Sequence, residues 1–355
     1  MTNTNLLDFT QVAAALREID YRLVHIYPPT GGLTGNVSML ETDEKELVLR
    51  IFDDTAAAWK PEKERIVYAL MRQQGIPVPN ILTTDASKSV LPFTYVISER
   101  LPGVALAECN DDILGPEDRN HIYAQLGDYL GRMHSVSFPV FGDVIESEGR
   151  IDVGPAGELR DSADRGHPGH PGPFDSWREM HRQIVRRHLA FLKPTVFGDL
   201  VESLGAWFTV HDYLLDDAIT PRLLHMDLHR GNILVSGDQV TGILDIEESL
   251  VGHNEYDLMR TELAHFRYGD EGIQSAFFEA YTRHISLAAG YEARRPFYEV
   301  SRSLVRMRCL VTYGSQYAGD TEDEERTIRT TLQTLMQSGA KPGIIADLPI
   351  AAVGQ

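Results

Sequence analysis

The feature that most constrains the fold is a pair of short apolar runs whose ends carry acids and an amide. Residues 223–249 read LLHMDLHRGNILVSGDQVTGILDIEES. The runs NILV and VTGILDI, separated by the turn SGDQ, predict a β-hairpin, because Gly and Asp favour tight reversals between strands. Such a hairpin returns the end of its second strand to the start of its first. Asn232 and Asp245 are therefore expected to converge, with Asp227 close by on the preceding loop.

These three side chains form an oxygen-only ligand set, which indicates magnesium chemistry. Mg²⁺ takes few protein ligands and shares its remaining positions with water and phosphate oxygens. Asn232 and Asp245 are predicted to hold the metal, and Asp227 is predicted to accept a proton from an attacking hydroxyl. The order H-x-D-x-x-x-x-N from His225, followed by a strand-borne Asp, is the pattern of a kinase catalytic loop. The alternative is that Asp227 and Asn232 only cap turns of the Asx type.

The same stretch resembles the aminoglycoside phosphotransferase and choline kinase-like superfamily, whose members usually read His-Gly-Asp-Leu-His-Pro-Gly-Asn here. The resemblance extends to the DIE segment 245–247 and to Gly252 with Asp257. It implies an α+β, bilobal protein-kinase-like fold with a small β-rich N-lobe and a larger, mainly helical C-lobe. Met226 and Arg230 replace the usual small residue and proline, and we expect both on the acceptor side of the loop.

The first hundred residues have the pattern of such an N-lobe, a strand meander around a glycine-rich loop. Glycines in TGGLTGN allow the backbone to approach phosphates closely. Arg50 on the next strand takes the position of the phosphate-binding cation, since a guanidinium can bind two phosphate oxygens. The resemblance pairs this cation with Glu64 on the following helix, with Glu62 as the alternative. The loop residues predicted to contact the nucleotide are Gly31, Gly32, Gly35 and Asn36.

The segment YVISERLPG resembles the hinge between the two lobes of the superfamily. The backbone groups predicted there to hydrogen-bond the purine of ATP or GTP are those of Glu99, Arg100 and Leu101. The chain is therefore divided into an N-lobe of residues 1–101, a helical C-lobe of residues 102–340 and a tail of residues 341–355.

After Gly103 the apolar spacing becomes helical. Helices are predicted at residues 120–134, 176–192, 199–216, 256–266, 271–288 and 296–314. Residues 152–175 are rich in Pro and Gly and predict a long loop, of a length that is usually functional or disordered. His134 ends the first of these helices, where a cationic histidine is simply favourable. Glu247 and Glu248, after the predicted metal ligand, are expected to assist the metal, meet the acceptor or only shape the local field.

Composition limits the partners of the chain. The 52 Asp and Glu outnumber the 33 Lys and Arg, and the net charge of −19 argues against nucleic acid and anionic membranes as partners. Acidity favours a cationic small molecule, although it also serves solubility alone. The two cysteines make no disulfide framework, and no apolar run reaches the roughly 20 residues of a membrane span. Without a secretory signal pattern, we expect a cytoplasmic protein, monomeric or dimeric.

These observations predict a small-molecule O-phosphotransferase that moves the γ-phosphate of a nucleoside triphosphate to a hydroxyl. The leading acceptor is an aminoglycoside or another amine-bearing antibiotic, so that the enzyme would give resistance. Choline, homoserine, fructosamine-type adducts and macrolides remain alternatives, because one fold serves all of them. A protein kinase is disfavoured, since no clear D-F-G or A-P-E segment is found. The further alternatives are an inactive nucleotide-binding kinase fold and a metal-dependent hydrolase. The hydrolase would use Asp227 and Asp245, with His225 and His229 as further ligands.

Overall fold

The structure is a computed structural model that describes nine stretches of the chain. They are residues 7–27, 30–31, 35–52, 59–109, 113–147, 149–154, 172–215, 218–266 and 271–338. Within them a small sheet-rich N-terminal part precedes a larger helical part, which confirms the predicted α+β class and bilobal kinase-like fold. No helix in these stretches is long and apolar enough to cross a bilayer.

The N-terminal part is one antiparallel sheet with two helices. Its strands are β1 Leu23–Ile26, β2 Thr30–Gly31, β3 Gly35–Thr42, β4 Glu46–Phe52, β5 Ile81–Asp85 and β6 Tyr95–Glu99. Their spatial order is β1-β3-β4-β6-β5, with β2 folded back onto β3. Its helices are α1 Phe9–Arg17 and α2 Trp59–Gln73. Leu47 and Leu49 alternate inward on β4 and pack with Val12 and Leu16 of α1, so burial of this apolar face holds the sheet together.

Seven further strands of the described chain form a hairpin, a strand pair and a second hairpin joined by one more strand, all separate from the first sheet. Their strands are β7 Val104–Ala105, β8 Asp143–Ser147, β9 Arg150–Gly154, β10 Arg222–Leu224, β11 Ile233–Ser236, β12 Gln239–Ile243 and β13 Leu250–Gly252. The hairpin of β11 and β12 is the one predicted from the sequence. Strand β7 pairs with β11 and not with the first sheet. The proposed division after residue 101 thus lies between two separately paired sets of strands.

Helices make up the remainder of the described chain. They are α3 Pro116–Ser135, α4 Trp177–Leu192, α5 Val201–His211, α6 Asn254–His265, α7 Glu271–Tyr281, α8 Tyr291–Tyr313 and α9 Thr321–Ser338. One apolar cluster joins α3 and α7 to the hairpins, and a second joins α4, α5, α6, α8 and α9. Helices α3 and α7 pack closely at Gly127. A Cβ atom added there would lie 2.1 Å from the Phe277 carbonyl oxygen, which is too close for a side chain.

Four elements differ from the sequence-based expectation. Residues 152–154, expected at the start of a long loop, belong to strand β9, while residues 155–171 lie outside the described stretches. Helix α9 was not predicted at all. Helix α7, predicted over residues 271–288, ends at Tyr281. Helix α8, predicted from residue 296, begins at Tyr291 and contains Pro296.

Candidate active site

The catalytic-loop candidate begins where β10 ends, and hydrogen bonds within it fix the position of Asp227. The Asp227 backbone N–H donates to Nδ1 of His225 over 3.2 Å, and burial lowers the pKa of His225. Nδ2 of Asn232 donates to the Asp227 carbonyl oxygen over 2.9 Å and lies 3.5 Å from carboxylate Oδ2. The Asp227 side chain remains 39% exposed, so its carboxylate is open to a bound molecule.

A buried carboxylate under the loop determines the direction of its backbone. Asp257 on α6 accepts N–H hydrogen bonds from His225 at 2.6 Å and from Met226 at 2.8 Å. Nε2 of His134 lies 3.0 Å from the same carboxylate, while Nδ1 lies 2.9 Å from the Tyr281 hydroxyl. Burial alone would raise the pKa of Asp257, but the hydrogen bond and charge of His134 outweigh it and lower that pKa.

His134 lies in the last turn of α3, as expected, and its ring is fully buried and hydrogen-bonded. Sequence spacing could not show that the end of α3 contacts α6 under the catalytic loop.

Met226 and Arg230 both contact the scaffold of the loop. The Met226 side chain is 3% exposed and packs in the second apolar cluster, while its backbone φ is +72°. Because it is buried, its side chain does not face an acceptor, and that expectation is wrong. Arg230 donates to the carbonyl oxygens of Leu106 and Cys109 over 3.2 and 3.0 Å, but its side chain is exposed, so its place on the acceptor side stays a prediction.

The hairpin brings the second predicted metal ligand to the loop. The Leu244 N–H donates to the Asn232 carbonyl oxygen over 2.8 Å, so Asp245 follows directly on the residue paired with Asn232. Asp245 has a φ of +59°, and its N–H donates to the Tyr68 hydroxyl on α2 over 3.0 Å. Its Oδ1 is buried without a hydrogen bond and lies 3.6 Å from the Arg50 guanidinium.

The donor set fits the predicted cation. A buried carboxylate oxygen that lacks a donor is unusual, and a bound cation would satisfy it. Asn232 uses its amide nitrogen within the loop and accepts no hydrogen bond at Oδ1 from the described residues. One carboxylate and one amide oxygen suit Mg²⁺, which keeps several waters or phosphate oxygens. Among the described residues, no group of three or more His, Cys, Asp or Glu could hold a metal, so the hydrolase alternative gains no support.

Arg50 lies between the sheet and this ligand set. It forms an ion pair with Glu64, and NH2 lies 3.2 Å from Glu247 Oε2. Burial would lower the pKa of Arg50, but the carboxylates of Glu64, Asp245 and Glu247 raise it. Glu62, the alternative partner, instead pairs with Arg65.

The strands on either side of the predicted glycine loop pair with each other and with the strand of Arg50. Gly31 lies opposite Asn36, and Val37 lies opposite Arg50 on β4. Gly35 begins β3, whereas Gly32 lies outside the described residues. A role of this loop in phosphate binding stays a prediction.

Two of the three backbone N–H groups predicted at the hinge already donate hydrogen bonds within the protein. The Glu99 N–H donates to the Asn80 carbonyl oxygen over 3.0 Å, and the Arg100 N–H donates to Glu46 over 3.3 Å. The Leu101 N–H has no backbone acceptor in the described part of the chain. Among the three predicted hinge amides, Leu101 is therefore the candidate purine donor.

Two cations near this site, Lys63 and Arg260, belong to no sequence motif. Lys63, beside Glu64, lies 2.9 Å from the buried Asp143 Oδ1 and donates to the Glu247 carbonyl oxygen over 2.9 Å. Arg260 on α6 lies 3.6 Å from Asp227 Oδ1. Only Arg260 had a signal in the sequence, since it follows Asp257 by three residues and shares its helix face.

Comparison with known proteins agrees with this geometry. The Phosphotransferase enzyme family matches residues 25–297, most of the chain. The chain belongs to this family. Hygromycin-B 4-O-kinase of Escherichia coli is 24% identical over 199 residues, covering 55% of this chain and 50% of that protein. Homoserine kinase of Pseudomonas aeruginosa is 24% identical over 249 residues, covering 68% and 64%. The chain thus spans less than two thirds of the length of these family relatives.

Solved structures show the fold over nearly the whole chain. Aminoglycoside phosphotransferase APH(4)-Ia, in a ternary complex with AMP-PNP and hygromycin B, aligns with a TM-score of 0.64 at 17% identity, covering 93% of this chain and 99% of that chain. A macrolide 2'-phosphotransferase of Brachybacterium faecium aligns with a TM-score of 0.56 at 16% identity, covering 92% and 97%. At these identities, the likeness establishes the fold and leaves the acceptor open.

Proposed function

We propose that this phosphotransferase moves the γ-phosphate of ATP or GTP to a hydroxyl group of a small molecule. The observation that carries the proposal is the convergence of Asp227, Asn232 and Asp245 at the open end of one hairpin, beside the Arg50–Glu64 ion pair. Phosphoryl transfer requires positioning and charge neutralisation more than covalent chemistry, and this arrangement offers both.

Each residue has a distinct role in the proposed reaction. Arg50, held by Glu64, directs its guanidinium at the phosphates under the glycine loop, and Leu101 donates to the purine. Asn232 and Asp245 would hold Mg²⁺, which supplies charge neutralisation at the phosphates when bound. Asp227 orients the acceptor hydroxyl and accepts its proton as the oxygen–phosphorus bond forms. The bond to the leaving nucleoside diphosphate oxygen breaks in the same transfer.

For the acceptor, we propose an amine-bearing molecule, with an antibiotic as the leading candidate. Support comes from the net charge of −19 and from Glu248, which is 21% exposed beside the proposed metal site. The names of the relatives include both an antibiotic kinase and homoserine kinase. A metabolite kinase is therefore the second candidate.

The experiment is phosphate transfer from γ-labelled ATP and GTP to aminoglycosides, peptide antibiotics, macrolides, choline and homoserine. Transfer to at least one hydroxyl acceptor is expected, and an Arg50→Met variant should raise the KM for nucleotide roughly 10–100-fold, because it removes a charge-assisted phosphate contact. Nucleotide binding without transfer to any acceptor would favour the inactive nucleotide-binding alternative.

A further inference from the structure

Arg260 is a cation with a largely buried side chain and no hydrogen bond to the described residues. It lies on α6, one turn after Asp257, and its side chain is only 10% exposed. Its single ion pair among the described residues is the 3.6 Å contact with Asp227 Oδ1. None of its nitrogens is fully enclosed without a hydrogen-bond partner, so its N–H donors reach solvent and are available to a bound acceptor.

The position of Arg260 is on the acceptor side of the carboxylate. Asp227 Oδ2 lies 3.5 Å from the Asn232 amide nitrogen, whereas Oδ1 lies 3.6 Å from the Arg260 guanidinium. A hydroxyl bound to Asp227 and in line with the phosphate must approach away from the metal ligands. Groups adjacent to that hydroxyl therefore come within reach of Arg260.

Charges around Arg260 indicate what kind of group it would bind. Burial would lower the pKa of Arg260, but Tyr256, Asp227, Glu248 and Asp257 raise it, so the guanidinium stays charged. From α8, Arg308 approaches Glu248, with NH2 3.8 Å from Oε1. Arg260 thus interacts electrostatically with both Asp227 and Glu248, and Glu248 also pairs with Arg308. An anion binds Arg260 favourably, and the nearby carboxylates disfavour a doubly charged one.

We infer that Arg260 binds a carboxylate of the acceptor, and that the substrate is a hydroxy acid, with any amine directed toward Glu248. The inference rests on the proposed phosphotransferase function, and among its two acceptor candidates it favours a metabolite that carries a carboxylate over an aminoglycoside, which has none. A planar guanidinium can hold a carboxylate through two parallel hydrogen bonds, which would fix the hydroxyl relative to Asp227. Such an acceptor also supplies the acceptors that the Arg260 donors lack in the protein itself.

A purely structural role for Arg260 makes a different prediction. If it only balanced the charge of Asp227, its loss would change turnover equally for every acceptor. If it binds a carboxylate, its loss would affect acids and leave their neutral counterparts unchanged. Matched pairs of acceptors that differ only in the carboxylate separate these two roles.

The test uses hydroxy acids and their amides, namely L-homoserine, 4-hydroxybutyrate and glycerate against the corresponding amides. Binding to the full chain with Mg²⁺ and ADP is measured by calorimetry, and transfer from labelled ATP is measured separately. Acids should bind more tightly than amides. Arg260→Gln should weaken acid binding about 10–100-fold, the range of a charge-assisted contact, with little effect on the amides. Arg260→Lys should restore part of the difference, and Arg326→Gln, an exposed position on α9, should preserve it.

Two results would overturn the inference. One is equal binding, or equal absence of binding, of acids and amides; the other is an Arg260→Gln change of the same size for both. Because calorimetry does not require turnover, acid-selective binding without phosphate transfer would contradict the proposed function and leave the carboxylate site supported. Phosphate transfer to amides as efficient as to acids would support the proposed function and contradict the carboxylate site.

Discussion

Residue scale: Met226 combines a strained backbone with a buried side chain. A φ of +72° costs a non-glycine residue about 1–2 kcal/mol, whereas removing a buried Met side chain costs about 2–5 kcal/mol. The free energy gained by burying the Met226 side chain exceeds the cost of its backbone strain, so the chain tolerates methionine at this position.

The expected order of two variants follows from these terms. Met226→Ala loses the packing and keeps the strain, while Met226→Gly loses the packing and relieves the strain. Both variants should be less stable than the wild type, with Met226→Ala the less stable of the two. Urea unfolding of the three proteins measures this order, and a glycine variant less stable than the alanine variant would contradict it.

Glu262 should make stability depend on pH. Burial, which outweighs the charge of Arg295, raises the pKa of Glu262 from 4.5 to about 7. Since the folded state holds this proton more tightly than the unfolded state, Glu262 makes stability fall as pH rises from 4.5 to 7. Glu262→Gln should therefore stabilise the protein by about 1–3 kcal/mol at pH 8 and much less at pH 5. Thermal unfolding at both pH values measures the difference, and an equal effect at both would count against a raised pKa.

Element scale: the catalytic loop depends on α6 and α3 for its shape. In an Asp257→Asn variant, one of the two loop N–H groups would face an amide NH2 and lose its acceptor. We expect a loss of about 1–3 kcal/mol of stability and a lower kcat, with nucleotide binding kept, because Arg50 and the hinge are untouched. Calorimetry and phosphate transfer measure both, with Asp199→Asn, an exposed position, as the matched control. Unchanged kcat would contradict this role for Asp257.

Local sequence patterns predicted the elements whose signals lie within a few residues. The β11–β12 hairpin was predicted because its turn and both apolar runs are contiguous. Helix α9 carried a usable signal too, since Ile328, Leu332 and Leu335 recur at helical spacing and are buried. The role of His134 could not be predicted, because Asp257 is 123 residues away and only the tertiary fold brings them together.

Whole-molecule scale: the two lobes are joined by a buried ion pair next to the site. Lys63 of α2 lies 2.9 Å from Asp143 of β8, and both side chains are almost fully buried. Lys63→Met should destabilise the protein by about 3–5 kcal/mol, because it leaves a buried carboxylate without its cation. Arg65→Gln on the same helix, which breaks exposed pairs with Glu62 and Glu146, should cost less than about 1 kcal/mol.

A double-variant cycle tests this connection. Lys63→Met combined with Asp143→Asn should be clearly more stable than the sum of the single losses predicts, since the second change removes the stranded charge. Strict additivity of the two changes in unfolding free energy would show that the pair does not couple the lobes.

At this scale, the motif residues were predictable and their surroundings were not. Asp227, Asn232 and Asp245 could be named from motif spacing, and Arg50 and Glu64 from the family resemblance; the fold brings all five together. Arg260 and Lys63 belong to no motif, and their positions depend on how helices pack around the hairpin. The proposed acceptor contact is made by such a residue, which is consistent with sequence patterns that indicated the reaction more clearly than its substrate.

The most direct measurement of the central claim is phosphate transfer by an Asp227→Asn variant. The substitution keeps the shape of the side chain and removes the proposed proton acceptor. Transfer from labelled ATP should fall about 10²–10⁴-fold, the usual contribution of a general base, while the Kd for Mg²⁺–ATP should change little. Transfer at the wild-type rate by Asp227→Asn would contradict the assignment of Asp227 and of the loop as the catalytic centre.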